Sequence, residues 1–377
     1  MSKLLTKLKD AYIALRGFHT KRHLVIIESD DWGSIRMPSR DVLENLKKLG
    51  DKPENDAFLS NDCLENESDL KALFEVLSSV QDSKGNPAII TANFATANPN
   101  FDEIDIKSGT YSFEPFYKTY DKYYSNNNVL KTIKDGIENK VFIPQLHCRE
   151  HLNVNRWMMD LRDKKEDTTI AFNHNMIGIA KSFSSDNVFG YMDAFNTVAT
   201  SNEELDKILE DAANIFESTF GYKSKTFVAS CFVWSDAFEN SLKKQGFSGI
   251  QTGPWQHKSI GVDGVYLLKR QLHFTGEKNN NGQIYTVRNC AYEPAYNQNP
   301  EECAKECFAQ VKNAFKVKKP AIINSHRFNY IGSINPDNSK NNLHWLKNLL
   351  QMIVKEYDDV EFITSPELLD LIFQEQK

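Results

Sequence analysis

Leu24-Val25-Ile26-Ile27-Glu28-Ser29-Asp30-Asp31-Trp32-Gly33 carries four apolar residues straight into a pair of carboxylates. A short continuous apolar run reads as a strand buried on both faces, the habit of a parallel sheet. Such sheets and barrels build their sites where strands end, so the position of the acidic pair is informative. A second stretch repeats the arrangement. Val141-Phe142-Ile143 leads into Gln145-Leu146-His147-Cys148-Arg149-Glu150-His151, which places two imidazoles four residues apart. A third, Ala321-Ile322-Ile323-Asn324-Ser325-His326-Arg327, ends in another histidine.

The same rhythm extends over the chain. Strands are expected at 23–29, 87–93, 141–146, 225–230, 248–251, 284–288, 320–325 and 360–363. Helices are expected at 39–49, 68–81, 126–138, 202–219, 235–246, 300–316, 340–356 and 366–375. This alternation means α/β architecture with βα units and a parallel sheet, flat or closed. A chain of 377 residues is long enough for two domains, or for one (β/α) barrel with insertions. Two stretches interrupt the pattern. Residues 94–125 are rich in Asn, Tyr and Phe, and residues 152–200 separate the histidine strand from the next one. Loops there can line a groove with sugar-stacking aromatics, or the aromatics can cover the barrel flank. Lys278-Asn279-Asn280-Asn281-Gly282 reads as a hairpin tip.

Charge and composition exclude several classes. A formal net charge of −6 argues against nucleic-acid binding, which needs a basic footprint. The six cysteines form neither a C-x-x-C zinc pair nor a disulfide framework, so a reduced interior is expected. Cys303 and Cys307, one turn apart on an expected helix, read as small buried apolar groups. No stretch approaches the ~20 apolar residues of a membrane span. The N-terminus is basic without the apolar core of a signal peptide, so a cytoplasmic location is expected. Residues 4–18 place Leu4, Leu5, Leu8, Tyr12, Ile13 and Leu15 mainly on one helical face. A helical extension over 1–22 packed on the barrel is expected, with peripheral membrane contact through residues 1–20 as the alternative.

Two imidazoles one helical turn apart can share one metal ion, and a strand-end carboxylate can complete the set. A neighbouring carboxylate that is not a ligand can take a proton from a metal-bound water, and His326 suits return of a proton to a leaving group. Each signal alone has a plainer reading: a buried, satisfied histidine pair, or an Asp pair capping a turn. Three strand ends carrying such residues in one βα chain point instead to a mononuclear metal hydrolase.

These residues resemble the motifs of the polysaccharide deacetylases of the NodB-homology group, carbohydrate esterase family 4. Ser29-Asp30-Asp31 matches the strand ending in an Asp pair. His147 to His151 matches His-(Ser/Thr)-x-x-His, with Cys148 in the Ser/Thr position. His326 matches the final strand-end histidine. The resemblance spans roughly residues 23–375 and implies one distorted (β/α) barrel of about seven parallel strands, with insertions near 94–125 and 152–200. It implies a divalent metal, zinc first and otherwise cobalt, manganese, nickel or iron, held by Asp31, His147 and His151. Asp30 would be the general base and His326 the general acid. The substrate would be an N-acetylated or O-acetylated saccharide, polysaccharide precursor or glycolipid.

The third motif departs from the family. Phe227-Val228-Ala229-Ser230-Cys231-Phe232-Val233-Trp234 lacks the usual Arg and Pro, and that Arg normally tethers the base. Arg149, Arg288 and Arg327 are the candidate replacements. In the fourth motif Trp255 is a loose substitute for the usual Asp and Trp. Arg149, Arg327, Trp32 and Trp234 are candidate substrate-binding residues. These departures keep two alternatives open: a different metal-dependent glycan hydrolase on the same barrel, and a non-catalytic sugar-binding relic.

Overall fold

The computed structural model describes residues 16–125, 128–180, 190–259 and 268–376. In chain order the strands are β1 (Leu24–Trp32), β2 (Ile90–Ala95), β3 (Ala97–Pro99), β4 (Phe113–Pro115), β5 (Phe142–Cys148), β6 (Thr226–Val228), β7 (Gly249–Thr252), β8 (Trp255–Ser259), β9 (Leu268–Leu272), β10 (Ile284–Val287), β11 (Cys290–Ala291), β12 (Ala321–His326) and β13 (Glu361–Phe362). Eight of them form one curled sheet in the order β10-β7-β6-β5-β2-β1-β12-β11, with β13 paired to β1. Every pair in it is parallel. All nine residues of β1 and all six of β2 are buried, as strands covered on both faces must be.

The outermost strands of this order, β10 and β11, are consecutive pieces of one run. Val287 pairs with Thr252 on β7, while Cys290 pairs with Ile323 on β12. Between them the Arg288 N–H donates to Thr252 O (2.9 Å) and the Asn289 N–H to Ile322 O (3.0 Å). The chain crosses there from one edge of the sheet to the other. With the run counted once, a distorted (β/α) barrel of seven parallel strands results, as expected.

Helices cover the outside because each presents one apolar face. Glu67–Ser78 buries Leu70, Leu73 and Leu77, and Pro336–Glu356 buries Leu343, Leu346, Leu349, Leu350 and Ile353 in the same cluster. Capping boxes start three of them, at Asn66 with Asp69, Ser201 with Glu204, and Thr364 with Glu367. Each such cap is worth about 1 kcal/mol. Cys303 and Cys307 are buried on Pro300–Lys316, in the small apolar role expected of them.

The interrupting stretches hold structure that periodicity does not announce. Residues 94–125 form the β3–β4 hairpin and the helix Phe116–Tyr123, and residues 152–200 include the helices Val154–Arg162 and Glu166–Asn173. Phe94, Phe116 and Tyr120 are fully buried in the main core, so these aromatics pack the barrel flank. Asn279 N–H to Gln283 O and Gly282 N–H to Asn279 O close a tight turn at 278–283, as expected of the polar run there. The one-faced pattern over 4–18 lies outside the described residues as far as position 15. No described helix is long and apolar enough to cross a membrane.

Candidate active site

Asp30 and Asp31 are neighbours on a strand, where successive side chains normally point to opposite faces. A bulge resolves this. Ser29 pairs with Ala92 and Trp32 with Phe94, so β1 carries one more residue than β2 over that step. Asp31 takes a left-handed conformation (φ 75°) within it, a strain of about 1–3 kcal/mol for a non-glycine residue. A second bulge lies on β5, where Leu146 pairs with Phe94 but Cys148 with Ala95, leaving His147 as the extra residue. Both chemistry-bearing strands are thus broken in register at the residues that matter.

Asp31, His147 and His151 come together as a buried cluster whose donor atoms lie within 4.8 Å of one another. The four-residue spacing of the histidines suggests one helical turn, and the structure corrects this. His147 ends β5 and His151 lies in the bend beyond it, their rings 4.8 Å apart at 72°. His147 Nδ1 donates to Val228 O (2.8 Å). A carbonyl can only accept, so in the neutral ring the lone pair sits on Nε2, the atom that faces Asp31. Asp31 Oδ1 lies 3.5 Å from His147 Nε2 and 3.4 Å from His151 Nε2, and is buried with no hydrogen-bond donor among the described residues. Two tetrahedral ligands each ~2.0–2.1 Å from one zinc ion would stand about 3.3 Å apart, so the residues fit a divalent ion. Burial pushes the His151 imidazolium well below its ordinary value, which keeps the ring neutral. Burial opposes ionisation of Asp31 too, but the Arg36 guanidinium, 3.3 Å from Oδ2, outweighs it and holds the carboxyl well below its usual range.

Asp30 faces the same space and is tethered by Arg288. Arg288 Nη1 donates to Oδ2 and Nη2 to Oδ1, both at 2.7 Å, and Asn93 Nδ2 adds a third bond to Oδ1 at 2.7 Å. Arg288 Nε also holds Glu28 at 2.7 Å. Burial alone would raise the Asp30 pKa, but the Arg288 charge and hydrogen bonds bring it down to about 2. Of the three arginines proposed to replace the missing tether, Arg288 is the one in place.

On the neighbouring strand β12, His326 is the register partner of Asp30. Its Nδ1 meets Glu293 Oε1 at 2.6 Å. Glu293 is itself fixed by Asn324 and Asn329, each donating at 2.7 Å. Burial would lower the imidazolium pKa, but the Glu293 carboxylate outweighs it and lifts the value to about 9. Sequence reasoning missed Glu293. It follows β11 by two residues and carries no motif around it.

A pocket of about 380 Å³ opens over these groups, lined by Asp30, Asp31, His147, His151, Asn324 and His326 together with Arg36, Asp56, Phe58, Leu59, Met176, Ile177, Gly178, Met192, Ala229, Cys231, Phe232 and Tyr296. The four candidate substrate-binding residues are not in that lining. Arg149 is buried between Glu150 and Asp211, its guanidinium 4.1 Å from the Phe113 ring centroid. Arg327 is fully buried, bonded to Asp62, Glu65 and the Ser34 carbonyl. Trp32 and Trp234 lie in apolar core clusters, their indole N–H groups bonded to Ser29 and Glu239. Trp255 lies on the β8–β9 hairpin, and Glu293 occupies the position beside His326.

No protein-family model matches the chain, and no curated protein sequence matches it. Solved structures similar to it include a 4-α-glucanotransferase from Thermococcus litoralis, at 9% identity and a TM-score of 0.47, covering 93% of this chain and 40% of that enzyme. Another, from Mycobacterium smegmatis, is assigned as a polysaccharide deacetylase, with 11% identity, a TM-score of 0.42 and 96% of each chain covered. A third is a CE4-family pseudoenzyme from Bacillus anthracis, at 9% identity and a TM-score of 0.41, covering 93% of this chain and 66% of that one. The chain therefore spans less than half the length of the glucanotransferase.

Proposed function

We propose that the protein is a metal-dependent deacetylase that hydrolyses N-acetyl, or alternatively O-acetyl, groups on a saccharide, polysaccharide precursor or glycolipid. One observation carries this reading: an Asp-His-His cluster shares its pocket with a carboxylate held ionised and an imidazole held protonated. Two titratable groups whose environments push their pKa values apart mark the base and the acid. A divalent ion held by Asp31, His147 and His151 would lower the pKa of a bound water to about 7 and polarise the acyl carbonyl, which suits a base as weak as Asp30.

Asp30 accepts the proton of the attacking water. A carboxylate offers about four acceptor sites; Arg288 takes two and Asn93 one, so one remains free. His326 keeps its Nδ1 proton on Glu293 and presents Nε2–H to the departing sugar nitrogen. Water adds to the acyl carbon, the C–N bond breaks, the Nε2 proton passes to the amine, and the acyl group leaves as acetic acid, which ionises in solution. Asp30 then returns its proton to the imidazole. Within the barrel, Arg288 supplies the tethering cation that the third motif lacks, and Glu293 supports the acid. That weighs against a non-catalytic relic.

Acetate release from N-acetylated oligosaccharides and glycolipids, by protein stripped of metal and reloaded with zinc, cobalt or manganese, tests the reading. Metal-dependent acetate is expected. Wild-type rates from Asp31→Ala or His147→Ala would overturn the mechanism, and polymer shortening without acetate would assign the site to another glycan hydrolase.

A further inference from the structure

We infer that the pocket takes the terminal N-acylamino sugar of its substrate end-on, with the pyranose resting on the Tyr296 ring beside Phe58; this rests on the deacetylase reading. Tyr296 is 49% exposed, the aromatic among the exposed large apolar side chains of the described residues, and it stands in the pocket wall. Phe58 and Phe232, the other aromatic side chains of that wall, are half-buried, so Tyr296 extends an accessible apolar surface inside the site rather than standing alone.

The geometry leads outward from the acid. The Phe58 ring lies 5.5 Å from that of His326 at 88°, and Tyr296 lies 5.4 Å from Phe58 at 85°. Phe328 backs both, 4.4 Å from Phe58 and 5.2 Å from Tyr296. The departing amine must sit beside His326, so the ring that bears it lies over this aromatic row. A pyranose presents axial C–H bonds on its faces, and these are the groups that pack on aromatic rings. Both rings are held. Asp56 caps the short helix of Phe58, accepting from the N–H groups of Phe58 (2.9 Å) and Leu59 (3.0 Å). Tyr296 N–H donates to Glu293 O (3.2 Å), so one turn of chain sets both the acid and the platform.

The rest of the wall restricts the space beyond the sugar. The 152–200 stretch contributes Met176, Ile177 and Met192, and the Met192 sulfur lies 2.8 Å from Arg36 Nη1, beside the metal-ligand cluster. At about 380 Å³ the pocket is at the small end of the ~300–1,000 Å³ range of ligand sites. One sugar ring with its acyl group suits that space. An internal residue of a polymer would need chain continuing on both sides, through apolar walls that offer its hydroxyls few partners.

The experiment uses the metal-loaded full chain with β-1,4-linked N-acetylglucosamine oligosaccharides from the dimer to the hexamer. Tandem mass spectrometry maps where acetyl is lost. Loss confined to one terminal residue is expected, with similar rates across the series; loss at internal residues would overturn the proposal. Tyr296→Ala should raise KM roughly three- to tenfold, the scale of one aromatic contact, with a smaller effect on kcat. Tyr296→Phe should restore KM relative to the alanine variant, because stacking does not need the hydroxyl. An unchanged KM in Tyr296→Ala would also overturn it. If no saccharide yields acetate, the deacetylase reading fails separately. Saturation-transfer NMR with the same oligosaccharides then decides: contact at the terminal ring that is lost in Tyr296→Ala upholds the platform, and no transfer overturns it.

Discussion

Arg288 and Asp30, 258 residues apart in the chain, meet through two 2.7 Å hydrogen bonds in a bidentate pair. The pairing exists because the barrel closes where it does. The run containing β10 and β11 crosses the seam at Arg288, next to the strand that carries His326, so the guanidinium enters the barrel interior beside Asp30, the proposed base. The same side chain also holds Glu28, whose carboxyl burial still pushes upward against the Arg288 charge.

Arg288→Met is therefore expected to destabilise the fold by about 3–5 kcal/mol, since it strands buried carboxylates without a cation. Arg288→Lys keeps a charge but loses the planar fork, and should leave a folded protein whose kcat is at least about tenfold lower. Urea denaturation followed by far-UV circular dichroism measures the first, and acetate release the second. Equal activity in the lysine variant would show that charge alone sets the base.

Glu293→Gln addresses the acid. The carboxylate raises the His326 pKa to about 9, so its removal lowers that pKa. An acid must be protonated to act, and the alkaline limb of kcat should therefore move downward from near 9. Burial, now unopposed by Glu293, pulls in the same direction. A pH profile from 5 to 10 reads this directly. An alkaline limb that stays in place would remove His326 from the acid role.

How much of the fold and the site is legible in the sequence depends on how local each signal is. β1, β5 and β12 announce themselves because their apolar runs are local, and Asp30, Asp31, His147, His151 and His326 come with them. Arg288 can be narrowed only to three candidates, because its role depends on where two sheet edges meet. Glu293 is invisible, since a two-residue strand leaves no periodicity. The four-residue histidine spacing suggests a helix, but His147 sits at a bulge near the end of β5 and the chain bends at 149–152, so the two rings meet without one. Trp32 and Trp234 pass for substrate contacts because a tryptophan's sequence neighbours do not tell a pocket wall from a core; both are sealed inside. Phe58 and Tyr296 stand on helices of one turn or so, too short for a pattern.

Arg327 marks the difference between a buried cation at a site and one beneath it. Its guanidinium bonds Asp62 at 2.8 Å and Glu65 at 2.7 Å while fully excluded from solvent. Truncation to alanine should cost about 3–5 kcal/mol of stability. Folded material at low temperature should keep its KM, because the side chain does not reach the pocket. A KM raised more than about tenfold (about 1.4 kcal/mol) in protein shown to be folded would return Arg327 to the substrate site.

The proposed metal ligands make a prediction that needs no substrate. Asp31 Oδ1 is buried without a donor, and the two Nε2 atoms converge on it at 3.4 and 3.5 Å. Charge and lone pairs gathered this closely favour a bound cation over the empty cluster. Binding to the folded state alone stabilises by RT ln(1 + [L]/Kd), about 2.7 kcal/mol at a hundredfold excess over Kd. Zinc should therefore raise the unfolding temperature of stripped protein in a concentration-dependent way, with one ion per chain by elemental analysis. Asp31→Asn removes the charge at constant shape and should abolish both effects; its metal-free form should unfold below the metal-free parent, because Arg36 loses its carboxylate partner. His151→Ala should weaken binding but leave a partial response through Asp31 and His147. A wild-type zinc shift in Asp31→Asn would place the ion elsewhere, and no shift in the parent would leave the cluster without a metal role.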